Sequence, residues 1–174
     1  MKILLHACCG PCACYSSEKL AADGKEFDIL YFNPNIHPYK EFKQRLATLR
    51  EFCEKKRIAL FIDKSYPLEE TVRGMVCEPT VRCAYCYRVR MRYAAKFAKE
   101  NGFNKIALGH HLDDILETLL MNMLYKGEFS GMPPFVPYEK YPVSVIRPLC
   151  YCEETEITEF VQEMGLECPS CKCI

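Results

Sequence analysis

Residues 2–14 read Lys2-Ile3-Leu4-Leu5-His6-Ala7-Cys8-Cys9-Gly10-Pro11-Cys12-Ala13-Cys14. A short apolar run ended by a glycine-proline pair predicts a buried strand, Lys2 to Ala7, turning sharply into a helix. The alternation continues downstream. Phe27 to Phe32, Ile58 to Asp63, Lys105 to Gly109 and Val143 to Arg147 are also short apolar runs bounded by turn residues. Between them, Tyr15 to Ala22, Tyr39 to Lys56, Thr80 to Asn101, Asp113 to Tyr125 and Glu153 to Met164 carry apolar residues at helical spacings. Gly102 and Gly165 follow two of these segments, where a helix often ends in glycine. Strand and helix in alternation imply right-handed crossovers, hence an α/β fold with five parallel strands and helices on both faces. The proline-rich stretch from Met132 to Pro142 reads as a single loop, long enough to act as a lid or binding loop.

Composition narrows the class. The chain has 174 residues, 49% of them hydrophobic and 26% charged, which fits one compact domain over residues 1–174. The run Ile3-Leu4-Leu5 stops at His6, and no stretch nears the roughly 20 apolar residues a membrane helix needs. A cytoplasmic protein is expected, with no membrane partner. Formal net charge is zero, so any surface for nucleic acid must be local. Thirteen cysteines call for disulfides or metal, and a reducing compartment favours metal.

The cysteines form three groups. Cys8, Cys9, Cys12 and Cys14 surround the turn after the first strand, where helix-start amides favour thiolates. Cys12 and Cys14 read equally well as small core residues. Cys83-Ala84-Tyr85-Cys86 lets two sulfurs converge on one metal, whether zinc, a cluster or a redox pair. Cys168-Pro169-Ser170-Cys171-Lys172-Cys173 forms a tail with no core to build. A zinc site needs only four ligands and leaves one group without a purpose. Three groups together suit an iron-sulfur cluster, with room for an extra metal or an open iron. Cys53, Cys77, Cys150 and Cys152 read as packing residues.

The fourth strand ends in Gly109-His110-His111-Leu112-Asp113-Asp114. Acids at a helix start cap its free amides. Two adjacent acids beside two histidines exceed that need, and at a sheet's carboxyl edge Asp113 or Asp114 could hold a metal or move a proton. From Arg82 to Lys105 there are seven basic residues and one acid, with Arg88, Arg92, Lys96 and Lys99 on one stripe. Such a stripe tracks phosphates, and Tyr85, Tyr87 and Tyr93 lie near for stacking on an unpaired base. An ordinary solvated face reads the same from charge alone.

Taken as motifs, Cys8-Cys9-Gly10-Pro11-Cys12 after a Leu-Leu-His strand, Tyr31-Phe32-Asn33-Pro34-Asn35-Ile36-His37-Pro38-Tyr39 with Glu41, Arg82-Cys83-Ala84-Tyr85-Cys86 and Cys171-Lys172-Cys173 resemble the cobalamin-independent epoxyqueuosine reductases. The resemblance implies a 4Fe-4S cluster, an additional iron, and reduction of epoxyqueuosine to queuosine in the tRNA anticodon loop with an electron donor. It implies metal binding by Cys8, Cys9, Cys83, Cys86, Cys171 and Cys173.

Ala107 to Thr118, Met121-Asn122-Met123, Gly131-Met132-Pro133-Pro134 and Ile146-Arg147-Pro148-Leu149 resemble instead the tRNA 2-thiocytidine synthetases, from about Arg82 to Cys171. Those enzymes adenylate a base and insert sulfur with a cluster on three cysteines, which the resemblance places at Cys83, Cys86 and Cys168. Their ATP loop reads Ser-Gly-Gly-x-Asp-Ser. Here Cys8-Cys9-Gly10-Pro11-Cys12 stands there, without the glycines and hydroxyls that cradle pyrophosphate, which argues against ATP use. Both resemblances imply a five-stranded, adenine-nucleotide-hydrolase-like, PP-loop-like sandwich. Under the reductase reading, Asp113 or Asp114 holds the iron or delivers a proton, Cys8 or Cys9 completes its coordination, and Cys9, Asp113 and Asp114 are the catalytic candidates. Arg88, Arg92, Lys96 and Tyr85 are the tRNA-facing candidates.

Overall fold

The computed structural model describes residues 2–7, 10–32, 39–63 and 79–166, the side chains of 39–42, 63, 79–80 and 82–83 excepted. Strand β1 (Lys2–Ala7) leads into α1 (Gly10–Ala22), β2 (Glu26–Phe32), α2 (Tyr39–Lys56) and β3 (Leu60–Asp63). Then follow α3 (Pro79–Glu100), β4 (Lys105–Leu108), α4 (Leu112–Lys126), β5 (Phe135–Tyr138), β6 (Val143–Ile146) and α5 (Glu154–Glu163). Helix α1 begins earlier than its apolar spacing predicts, at the Gly10-Pro11 pair. Proline is at home in a first helical turn, where its missing N–H has no partner to lose.

Among these residues the sheet has six strands in the order β3-β2-β1-β4-β6-β5. Five are parallel and β5 pairs antiparallel with β6, Pro137 opposite Ser144. The expected five-stranded sheet is therefore extended by an edge strand taken from the proline-rich stretch read as loop. A proline is tolerated at an edge because no further strand needs its missing donor. Tyr138 and Tyr141 stack at 5.7 Å across the turn that follows.

Both faces of β1 are buried, as its apolar run requires. Ile3, Leu5 and Ala7 pack with α1 and α2, among them Leu20, Leu49, Phe52 and Cys53. Leu4 packs on the opposite face with Met91, Ala94, Ala95 and Ala98 of α3. The alanines let α3 lie close on the sheet, and Phe61, Phe97 and Phe103 close that layer with ring centroids 5.2–6.4 Å apart. Cys14, Cys53, Cys150 and Cys152 are buried. Burial pushes the Cys53 thiol up to about 11 and raises those of Cys150 and Cys152, the behaviour of packing residues. Cys77 lies outside the described residues.

The chain runs from β1 outward through β2 to β3 and returns to place β4 on the other side of β1. The order reverses between β1 and β4, and a crevice opens there beyond their carboxyl ends.

Candidate functional site

That crevice is a cleft of about 420 Å³. Each wall comes from a different element. β1 contributes His6, α1 Pro11 and Cys12, and α3 Tyr87, Arg90 and Met91; the β4–α4 turn contributes Gly109, His110, His111 and Asp114, and α5 Glu154, Ile157 and Thr158.

The backbone at the turn is tightly packed. A Cβ added to Gly109 would come within 2.9 Å of the Cys12 Cβ. Glycine at this position lets the first turn of α1 press against the β4–α4 turn. Pro11 in that same turn offers no N–H, so one of the helix-start donors an anion would use is missing.

Two neutral imidazoles lie at the base of the cleft. His6 is buried, and burial with the Arg90 guanidinium beside it holds its pKa down to about 3. Burial and nearby Arg147 also lower the pKa of His110. His6 Nε2 and His110 Nδ1 are buried and have no hydrogen-bond partner among the described residues. Each leaves one polar atom for a ligand in a cleft that Met91 and Leu108 also line.

The acids expected to act at the site also cap helices. The His111 backbone N–H donates to Asp114 Oδ2 at 3.0 Å, closing the start of α4. Asp113 Oδ2 accepts from the Glu154 N–H at 2.8 Å and so caps α5, a contact that lowers its pKa. The His111 ring lies between them, Nδ1 at 3.5 Å from Asp113 and Nε2 at 3.4 Å from Asp114. Asp114 faces the cleft while Asp113 ties two helix starts together. Arg147 donates to the Pro133 carbonyl oxygen and fixes the segment ahead of β5.

Of the sulfur candidates, Cys8, Cys9, Cys168, Cys171 and Cys173 lie outside the described residues, as does the side chain of Cys83. Cys86 is buried beside Tyr85 and Val89. No group of three or more metal-holding side chains forms among the described residues. In sequence, Cys8 and Cys9 fall between β1 and α1, while the backbone of Cys83 and Cys86 occupies the second turn of α3, just ahead of Tyr87 and Arg90 in the cleft wall. An all-thiol donor set suits iron-sulfur ligation. Arg88, Arg92 and Lys96 are exposed along α3, Lys96 being 3.9 Å from Glu100.

Sequence alone did not mark His6 and Arg90 as residues of the cleft, nor Arg147, which acts on His110 from outside the lining. The signal for Arg90 was its spacing, since it lies four residues after Cys86 and off the stripe formed by Arg88, Arg92 and Lys96. No helix among the described residues is long and apolar enough to cross a membrane.

The fold recurs in solved structures. A U34-tRNA thiolase, NcsA, from Methanococcus maripaludis with its [4Fe-4S] cluster superposes with a TM-score of 0.75 at 21% identity, over 99% of this chain and 60% of that one. A 4-thiouridine synthetase in complex with RNA and ATP gives 0.62 at 20% identity, over 98% and 44%. These likenesses show the fold, an α/β protein whose mostly parallel sheet ends in an antiparallel edge strand. The family described as "Epoxyqueuosine reductase QueH" matches residues 3–110. The chain belongs to that family. Curated relatives named tRNA-cytidine(32) 2-sulfurtransferase are also similar, at 38% identity over 127 residues in Legionella pneumophila and 44% over 114 in Alcanivorax borkumensis. The matched regions are 72% and 64% of this chain, and the chain spans 44% and 39% of the length of those two proteins.

Proposed function

We propose that this chain is an iron-sulfur enzyme that reduces epoxyqueuosine to queuosine in the anticodon loop of tRNA. The observation that carries the reading is the turn between β1 and α1. Within the family match, Pro11 removes a phosphate-binding donor, Cys12 presses on Gly109, and thiols stand where a pyrophosphate cradle would be. Such a turn is built to bind metal rather than ATP.

The reaction breaks both carbon-oxygen bonds of the epoxide, forms a carbon-carbon double bond, and releases the oxygen as water after uptake of two electrons and two protons. Cys8, Cys9, Cys83, Cys86, Cys171 and Cys173, with Cys168 as a further thiol, would hold a 4Fe-4S cluster and an additional iron, which would supply electron transfer from an external donor and polarisation of the carbon-oxygen bond. His6 and His110, neutral at pH 7, offer hydrogen bonds to the modified base in the cleft. Asp114 faces the same space, and in this reading it would hold a cation or pass a proton. Asp113, engaged with α5, positions that wall and serves as a cation ligand in the second place. Arg88, Arg92 and Lys96 meet phosphates of the anticodon arm, with Tyr85 beside them.

A second reading, ATP-dependent thiolation of tRNA, is favoured by the 38–44% identity to the sulfurtransferases. One experiment separates them. Anaerobically reconstituted protein is incubated with epoxyqueuosine-containing tRNA and dithionite, and in parallel with unmodified tRNA, Mg-ATP and sulfide, and nucleosides are read by mass. Conversion to queuosine in the first arm supports the reductase. Sulfur gained in the second arm, with no conversion in the first, refutes it.

A further inference from the structure

Helix α4 has no buried residue, although eight of its fifteen residues are Leu, Ile or Met. Its contacts to the rest of the fold lie at its start and along one edge. The Leu112 N–H donates to the Cys152 carbonyl at 2.9 Å, and a Cβ added to Gly131 would lie 3.9 Å from Ile115 and Leu119. The other side is open. Leu116, Leu120, Met121 and Met123 are 45–56% exposed, while Leu124, Tyr125 and Phe129 are 79%, 85% and 83% exposed. With roughly 200 Å² for each large side chain, these seven present on the order of 900 Å² of exposed surface per copy. The largest apolar patch on a typical monomer is about 300–600 Å².

The chemistry of the patch selects its occupant. From Thr118 to Tyr125 there is no charged residue, and the nearest cation, Lys126, is engaged with Asn122 Oδ1 at 2.9 Å. RNA would meet no phosphate partner there. A membrane surface would face Asp113, Asp114 and Glu117 along the helix in place of the lysines and arginines that anchor interfacial helices. Met, Leu and aromatic residues without charge make up the core of a protein interface. The stretch from Thr118 to Tyr125, which carries no charge, is complementary to itself, as a two-fold interface requires. The area of the patch also matches the roughly 800 Å² per partner of a stable interface. We propose that the exposed face of α4, continued by Phe129, is the two-fold interface of a homodimer. The partner copy then holds the helix whose first turn carries His111 and Asp114 at the cleft.

The test uses the full chain, metal-free and anaerobic, by light scattering from nanomolar to micromolar concentration. The expected mass is that of two chains, dissociating on dilution. Leu120→Glu with Leu124→Glu is expected to raise Kd at least about 100-fold while keeping a helical spectrum and a cooperative melt, since both side chains are solvent-facing in one copy. Lys99→Glu, at the far end of α3, leaves the dimer intact. Hydrogen exchange on the unaltered protein gives a second readout, with amides 116–125 slowed at high concentration and released on dilution. A single-chain mass at every concentration overturns the proposal, whether those amides exchange freely or are covered by another part of the chain. So does a doubly substituted protein that remains dimeric.

Discussion

Gly109→Ala tests the contact on which the shape of the cleft depends. The new methyl would come within 2.9 Å of the Cys12 Cβ, which cannot swing away because it is fixed to the backbone of α1. The Cys12 carbonyl oxygen and carbon, at 3.5 and 3.6 Å, would be ordinary contacts, so the strain falls on one atom pair. Relief requires the first turn of α1 to shift from β4, an overpacking cost of about 1–3 kcal/mol. For a chain of this length that lowers Tm by roughly 2–12 °C. The assay is thermal and urea unfolding of metal-free protein under reducing conditions, followed by circular dichroism. Cys12→Gly removes the opposing Cβ and, although glycine costs about 0.5–1 kcal/mol in a helix, should rescue most of the loss when combined with Gly109→Ala. Cys12→Ala retains the Cβ and should rescue nothing. A Gly109→Ala protein as stable as the unaltered one, or two costs that simply add in the double variant, would refute this packing account.

Other outcomes follow from the same coordinates. Because burial holds the His6 pKa near 3, the unfolded chain takes up a proton at this residue between about pH 6.5 and 3 while the folded chain does not. Stability then falls with decreasing pH across that window by up to about 1.4 kcal/mol per unit from this group, and metal-free His6→Leu should lose that part of the slope. Asp113→Asn keeps an acceptor for the Glu154 N–H but removes the charge. A lowered folded pKa contributes stability above the ordinary carboxylate range that is lost as pH drops through the folded value, so the variant should melt lower at pH 7 and converge with the parent in acid. Arg88→Glu and Arg92→Glu should each weaken tRNA binding and, in filter binding, reduce the slope of log K against log salt by about 1 for each phosphate left without its cation. Cys53, with its thiol near 11, should resist alkylation at pH 8 in the folded protein, as read by mass spectrometry.

The elements legible from sequence were those whose residues repeat a simple period. β1 and α2 fall where their apolar patterns place them, because burial on one or both faces fixes which residues alternate. β5 was hidden by its prolines, since Pro137 disqualifies a central strand but not an edge. The start of α1 was obscured because Gly10-Pro11 reads as punctuation, although proline in a first turn also begins helices. At the site, the segments after β1 and β4 were visible as dense runs of reactive side chains. His6 and Arg90 were not, because each belongs to an ordinary strand or helix pattern and faces the cleft only once the crossovers bring β1 and α3 together. Nor could spacing alone reveal that Asp113 and Asp114 cap two different helices, one of them 41 residues away.

The strand order has a consequence for how the protein is made. β1, in the middle of the sheet, is synthesised before both of its neighbours, and β4 follows about a hundred residues after it. At 5–20 residues per second, β1 waits roughly 5–20 s on the ribosome with one edge open. A break in the chain between β1 and β4 would leave β1 without that neighbour. During the same interval Cys8 and Cys9 emerge before Cys83 and Cys86. Under the proposed function, nascent chains should therefore need protection from oxidation until the later thiols arrive.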